Sequence, residues 1–157
     1  MKQTIKILLT VLFVFTTAYT SLAADLESID RISVLMPKTQ VITILGKPDT
    51  VTDMGGLKVE LYLVPSGEPL VSVAYIYEDD RYLAGHAFIF RGNVAGQTAA
   101  RMKTIGFTIL EEKGDYFRLA GKDDDTGRPI VVTIGQINDL TTVTTFEKGF
   151  YDRRANR

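Results

Sequence analysis

The sequence predicts an α+β protein made of two tandem modules, each a helical segment followed by a four-stranded antiparallel sheet, with the helices packed on one face. Three observations lead to this prediction. Residues 36–46 have helix start and stop signals, the hydrophobic period changes to two after residue 49, and a helix-then-strands order returns after residue 93. The predicted modules cover residues 25–92 and 93–151.

The helix predicted at residues 36–46 has recognisable ends. Pro37 suits the first turn, where its missing N–H needs no partner. Apolar residues recur at helical spacing between Val41 and Leu45, which gives the helix one narrow apolar face. Gly46 fits a left-handed residue after the helix, and Pro48 prevents its continuation.

Two further helices are predicted. Apolar residues recur every three positions in residues 25–36, which indicates a first helix with one apolar face. In the second half, Asn93 can cap a helix over residues 93–105, and Gly106 is its expected stop.

Alternating apolar and polar residues, separated by turn residues, predict eight strands. The predicted ranges are 50–53, 57–63, 71–77, 82–90, 107–112, 116–121, 129–134 and 140–146. Short loops between successive strands indicate antiparallel meanders. Two such halves can also join edge to edge in one long sheet, which would hide two strand edges.

Residues 36–49, MPKTQVITILGKPD, resemble the helix-to-strand signature of the SmpA/OmlA (BamE-like) outer-membrane assembly family. The positions that carry the resemblance are Met36, Lys38, Gln40, Val41 and residues 44–49. The resemblance implies helices before an antiparallel sheet, as in the related β-lactamase-inhibitor-like tandem fold. It also implies an envelope-assembly adaptor or an inhibitor of a hydrolase. Leu35 stands where that family usually has glycine, and the absence of cysteine implies a variant without its lipid anchor.

The N-terminus has the pattern of a secretory signal peptide. The charged residues of MKQTIK precede an apolar run, and small residues follow, so we expect residues 1–24 to be removed by cleavage after Ala23 or Ala24. A transmembrane anchor is the competing interpretation, although the apolar run is short for a span. We therefore expect a periplasmic or secreted protein without a stable membrane anchor, and a flexible tail at residues 152–157.

Charge and cysteine content narrow the classes of partner. Cleavage after Ala23 would remove Lys2 and Lys6 and leave 16 basic against 19 acidic side chains, a net charge of −3. A mildly acidic chain is a poor match for nucleic acid or an anionic membrane. Without cysteine there is neither a disulfide nor a lipidation site. We expect the partner to be another envelope or secreted protein.

No familiar catalytic motif is present in the sequence, which favours a protein that is not an enzyme and needs no cofactor. His86 is the single histidine, and it lies in an apolar strand. A buried structural imidazole is the favoured interpretation. The alternative is a small extracytoplasmic hydrolase or ligand-binding protein that uses His86.

The aspartates at residues 123–125 superficially resemble a calcium loop. The EF-hand pattern requires a glutamate at the twelfth position, where this chain has Ile134. A solvated hairpin loop is therefore expected rather than a metal site, with a weak cation site left open.

The predicted binding surface carries tyrosines. If helices cover one face of the first sheet, the other face is free, and tyrosines there would bury a large area against a partner at little cost in side-chain entropy. The candidate residues are Tyr62, Tyr75, Tyr77 and Tyr82. The competing interpretation is that these tyrosines simply cover the sheet.

Overall fold

The computed structural model describes residues 25–65 and 69–155, so the predicted signal peptide lies outside the described residues. Four helices are α1 Leu26–Asp30, α2 Lys38–Leu45, α3 Ala95–Thr104 and α4 Lys148–Ala155. The strands of the first half are β1 Thr50–Met54, β2 Leu57–Leu63, β3 Leu70–Glu78 and β4 Tyr82–Arg91. Those of the second half are β5 Thr108–Lys113, β6 Tyr116–Lys122, β7 Pro129–Ile137 and β8 Leu140–Glu147.

All eight strands form one antiparallel sheet in the order β1-β2-β3-β4-β8-β7-β6-β5. The prediction of tandem helix-plus-four-strand modules is therefore wrong, and the protein is mostly sheet with a few short helices. The junction is the pairing of β4 with β8, which runs from Gly85 opposite Phe146 to Arg91 opposite Leu140. Backbone hydrogen bonds continue across this junction, because pairing satisfies two edges that separate modules would expose.

The prediction that all helices pack on one face is also wrong. The front face of the sheet is the side that carries Tyr75 and Leu119, and the back face is the opposite side. Residues of α1, α2 and α3 pack on the front face. Helix α4 packs on the back face, where Phe150 stacks on Phe146 with ring centroids 5.4 Å apart.

Two hydrophobic clusters form the front core. Val41 and Leu45 of α2 pack with the β2 and β3 side chains in the first cluster. Ala95 and Ala99 of α3 belong to the second cluster, on β6, β7 and β8. Phe88 and Phe90 of β4 pack against both clusters. The core is thus continuous across the β4–β8 junction.

The first helix is much shorter than the predicted residues 25–36. After α1 ends at Asp30, the chain passes through a turn at residues 34–35 and pairs with the start of β4 through an isolated bridge between Pro37 and Tyr82. The Leu35 N–H donates to the Leu83 carbonyl at 2.7 Å, and the Leu83 N–H donates to the Met36 carbonyl at 2.9 Å. Leu35 has a φ of 66°, in the left-handed region that a helix cannot contain.

Helix α3 begins at a hydroxyl supplied by another strand. Its N-cap, Val94, has no capping side chain of its own. The buried Thr141 Oγ1 on β8 accepts from the Val94 N–H at 3.0 Å and donates to the Gly92 carbonyl at 2.8 Å. This threonine therefore fixes the start of α3 on the sheet.

Helix α4 includes residues 152–155, which the sequence assigned to a flexible tail. The Glu147 carboxylate accepts from the Phe150 N–H at 2.7 Å and caps the helix. Arg153 contacts Glu78 at the end of β3, and Arg118 of β6 donates to the Tyr151 hydroxyl. The helix thus links the two halves of the sheet. No helix within residues 25–65 and 69–155 has the length and hydropathy to cross a bilayer.

Candidate functional site

Three of the four tyrosines predicted for the binding surface are in the interior. Tyr62, Tyr75 and Tyr77 are at most 2% exposed and belong to the core cluster beneath α1 and α2, so the expectation that they lie on an open face is wrong. Tyr82 is 54% exposed, at the start of β4. The structure does not bring Tyr82 together with the other three on one open surface.

A buried ion pair lies on the face of the sheet that α2 covers. Glu60 shares the front face of β2 with Tyr62 and is 2% exposed. Lys38, the first residue of α2, reaches it with Nζ 2.7 Å from Oε1. The same Nζ lies 2.5 Å from Oδ1 of Asp80 in the β3–β4 turn and 5.3 Å from the Tyr77 ring centroid. Sequence alternation missed this pair because glutamate in a strand normally faces solvent.

Burial and charged neighbours both shift the pKa values of the side chains around Lys38. Burial lowers the pKa of Lys38, but its hydrogen bonds with Asp80 and Glu60 outweigh burial and raise that pKa overall. Burial raises the pKa of Tyr77 far above its ordinary value, and the negative charge of Glu60 raises it further. Tyr77 is therefore a neutral phenol at physiological pH, unable to act as a base.

Several polar atoms of the front core have no hydrogen-bond partner among the described residues. They are Glu60 Oε2, the Tyr75 and Tyr77 hydroxyls, and His86 Nδ1. Burial also raises the pKa values of Tyr62 and Tyr75 well above the ordinary range. The Tyr62 hydroxyl does have a partner, the Gly46 carbonyl at 3.2 Å. The front core thus contains a row of polar groups that are shielded from water.

His86 is 8% exposed, opposite Tyr75 on β3 and Thr145 on β8. Its ring centroid lies 4.8 Å from that of Phe88. Burial lowers the pKa of His86 to about 4, although the charge of Asp123 acts in the opposite direction. The imidazole is neutral at physiological pH and enclosed by aromatic rings.

The loop at residues 123–127 has the geometry of an aspartate turn. Asp123 Oδ1 accepts from the Thr126 N–H at 2.8 Å and from the Thr126 hydroxyl at 2.7 Å. Gly127 closes the turn with a φ of 67°. No group of three or more potential metal ligands occurs in the part of the chain that the structure describes.

The back face of the first half carries the aliphatic residues of β2 and β3. Alternation places Leu57, Val59, Leu61 and Leu63 on this side of β2. The back-face patch consists of the buried Val59, Ala74 and Ala87 with the partly buried Met54, Leu61 and Ile76 packed against them. Among the described residues, no helix contributes to this cluster. The sheet therefore has an open face, but an aliphatic one.

A groove lies between α4 and the sheet, next to the back-face patch. Its volume is about 330 Å³, and Leu57, Phe146, Phe150, Tyr151, Arg154 and Ala155 line it. Arg154 is the one ionised side chain in this lining. The groove was not predicted because α4 was not recognised in the sequence, and the patch was not predicted because the tyrosines were expected on the open face.

No protein-family model, curated protein or solved structure matches this chain.

Proposed function

We propose that this chain is a non-enzymatic protein-binding module of the periplasm or the secreted fraction, and that it binds another envelope or secreted protein through the back-face patch. The observation that carries the proposal is the packing of the patch. Met54, Leu61 and Ile76 remain partly exposed over a buried layer, and no described helix covers them. Exposed contiguous apolar surface is characteristic of interaction sites.

The residue types on the two faces of β2 also support binding of a partner by the patch. The front face of β2 buries a charged glutamate beneath a helix, whereas Val59 and Leu61 on the back face of the same strand belong to a cluster to which no described helix contributes. An edge-exposed β1 borders the patch and offers unpaired backbone groups to a partner. Aliphatic and backbone contacts together are suited to a protein partner.

The envelope location rests on the signal-like residues 1–24 and on the resemblance of residues 36–49 to the SmpA/OmlA family. Two roles agree with both: an envelope-assembly adaptor and an inhibitor of a secreted or periplasmic hydrolase. They differ in the partner's response, because an inhibitor lowers the partner's activity whereas an adaptor joins it to a complex.

The alternative is a small hydrolase or ligand-binding protein that uses His86. A general base has to come within hydrogen-bond distance of the proton that it removes. His86 is nearly inaccessible to solvent, and no described residue is within hydrogen-bond reach of its Nδ1 to orient the ring. This placement favours the binding module.

Site-specific photocrosslinking in living cells tests the proposal. A crosslinking residue at Leu61 or Ile76 is expected to capture the same partner, whereas one at Ile105 is expected to capture none. Ile105 is a suitable control because it is 65% exposed, follows α3 and is distant in sequence from the patch. Equal capture at all three positions, or capture at Ile105 alone, would contradict the proposal.

A matched pair of charge substitutions tests the same surface. Leu61→Lys is expected to weaken partner binding by about 1–3 kcal/mol because it places a charge in an apolar contact. Leu110→Lys, at a 53% exposed residue of edge strand β5, is expected to leave binding unchanged. Addition of the purified protein to a captured hydrolase then separates an inhibitor from an adaptor.

A further inference from the structure

Three arginines surround α4 on the back face, and two of them are paired with carboxylates. Arg153 Nη2 lies 2.7 Å from Glu78 Oε2. Arg118 Nη2 lies 3.3 Å from Glu111 Oε2, and its Nη1 donates to the Tyr151 hydroxyl at 3.4 Å. These two arginines therefore have acidic partners that belong to the fold.

Arg154 differs from both. Its one hydrogen bond to the described residues runs from Nη1 to the Gly55 carbonyl at 3.3 Å, and no acidic side chain pairs with it there. The guanidinium carbon lies 5.7 Å from the Phe150 ring centroid. Nε is shielded from solvent and, like Nε of Arg118, has no hydrogen-bond partner among the described residues. The positive charge of Arg154 thus interacts with an aromatic ring and one carbonyl group, and not with a carboxylate of the described residues.

The unused donors of Arg154 have the geometry of an anion site. Nε and Nη2 lie on the same edge of the planar guanidinium, and this edge binds the two oxygens of a carboxylate in parallel. The Gly55 carbonyl occupies Nη1, on the other side of the group. A carboxylate can therefore bind without displacing the contact that holds the arginine in place.

Apart from Tyr151, whose hydroxyl accepts from Arg118, the rest of the groove lining is apolar. Phe146 and Phe150 form a stacked pair, and Leu57 and Ala155 complete the aliphatic lining. A volume of about 330 Å³ lies at the lower end of the range for small-molecule sites. A largely apolar groove with one convergent cation selects a ligand that has both an apolar chain and a single anionic group.

We propose that this groove binds a medium-chain fatty carboxylate, with the hydrocarbon chain against Phe146 and Phe150 and the carboxylate on Nε and Nη2 of Arg154. A neutral alcohol of the same length would leave Arg154 without its ion pair, and a short carboxylate would leave the aromatic lining uncovered. This inference does not depend on the back-face patch or on a protein partner.

Calorimetric titration of the purified protein with dodecanoate tests the proposal. Dodecanoate is expected to bind at a single saturable site, and butyrate and dodecanol are expected to bind much more weakly. Arg154→Gln should weaken dodecanoate binding at least about tenfold, because it removes a charge-assisted bidentate contact. Arg153→Gln removes the neighbouring charge outside the groove and should leave the affinity unchanged.

Two further measurements guard against misfolding and nonspecific binding. Arg154→Lys keeps the charge but loses the planar pair of N–H donors of the guanidinium. This variant should bind dodecanoate more weakly than wild type and more tightly than Arg154→Gln. Ring signals of Phe150 and Tyr151 in NMR spectra should shift on addition of dodecanoate. Absence of saturation, equal losses in the Arg153 and Arg154 variants, or equal binding of dodecanol would overturn the proposal.

Discussion

Phe146 on β8 lies directly opposite Gly85 on β4, and its ring occupies the space where a side chain at Gly85 would begin. The pair lies at the junction of the two halves, on the back face. A β-carbon at Gly85 would collide with this ring and with the Thr145 carbonyl. The φ of Gly85 is not in the left-handed region, so the backbone conformation does not require glycine here. Glycine is required because β8 approaches β4 too closely for a side chain.

Gly85→Ala is expected to destabilise the fold by about 1–3 kcal/mol, because the added methyl group overpacks the β4–β8 junction. Urea unfolding measures the change. Gly96→Ala is the control: Gly96 is in α3 with open space around its α-carbon, and alanine there should be neutral or stabilising by up to about 1 kcal/mol. Equal effects of the two substitutions would show that packing at the junction is not tight.

Lys38→Met is expected to cost about 3 kcal/mol, because it leaves the buried Glu60 carboxylate without its cation. The double variant Lys38→Met with Glu60→Gln should recover part of this loss. The free energy of unfolding is again the measurement.

Lys148→Met is the control for this ion pair. Lys148 pairs with Asp152 on the surface of α4, where both side chains are 49% exposed, so the loss should stay below about 0.5 kcal/mol. If Lys38→Met lowered the free energy of unfolding by as little as Lys148→Met, the interpretation of Lys38 and Glu60 as a buried ion pair would be wrong.

Thr141→Val is expected to destabilise the protein by about 1–3 kcal/mol, because it leaves the partly buried Val94 N–H and Gly92 carbonyl without the Thr141 hydroxyl. Thr142→Val changes the neighbouring, half-buried threonine on the opposite face and should be nearly neutral. Amide hydrogen exchange should show faster exchange in the first turn of α3 for Thr141→Val. Unchanged exchange there would argue against a capping role.

The lowered pKa of His86 predicts that the folded protein loses stability in mild acid. Its folded pKa, about 4, lies below its unfolded value of about 6.5, so only the unfolded chain binds a proton between these values. The contribution of neutral His86 to the free energy of unfolding is therefore fully present above about pH 6.5. Up to about 3 kcal/mol of this contribution is lost as the pH falls towards about 4.

His86→Phe should remove this dependence while keeping an aromatic side chain beside Phe88. The test is the difference in unfolding free energy between about pH 7 and about pH 5, compared for the variant and the wild type. A smaller difference for the variant is expected. The same difference in both proteins would mean that the imidazole reaches water in the folded state.

Local signals in the sequence predicted most element positions. All eight strands lie within a few residues of the predicted ranges, and α2 and α3 end where glycine was expected to stop them. Gly46 and Gly106 have φ angles of 79° and 101°, so the stop signals work through the left-handed backbone that glycine permits. Alternation and stop residues act over short distances and are visible in one sequence.

The covered side of β2 could not be predicted in the same way. Both alternating sets on this strand are attractive for a core: Leu57, Val59 and Leu61 on one side, and Tyr62 with Glu60 on the other. Glu60 on the covered side is paired with Lys38, which comes from α2 and is distant in sequence. Because the pairing is tertiary, the strand pattern alone favoured the wrong face and placed the tyrosines outside.

The fold errors have similar causes. Residues 25–36 have helical spacing, but hydrogen bonds hold the Leu35–Met36 segment against Leu83, and the helix ends at Asp30. The pairing of β4 with β8 involves strands about 55 residues apart, and no local pattern encodes it. The groove at α4 depends on contacts with Gly55 and Phe146 from different parts of the chain.

The order of the strands has a consequence for the way the protein is made. Strand β8 is the last to be synthesised, yet it occupies an inner position beside β4, so the N-terminal meander emerges with one side of β4 unpaired. The full sheet becomes possible only after residue 147 has left the ribosome. Loss of the C-terminal segment would therefore open the middle of the sheet and not its margin, and β4 keeps an unpaired side until that moment.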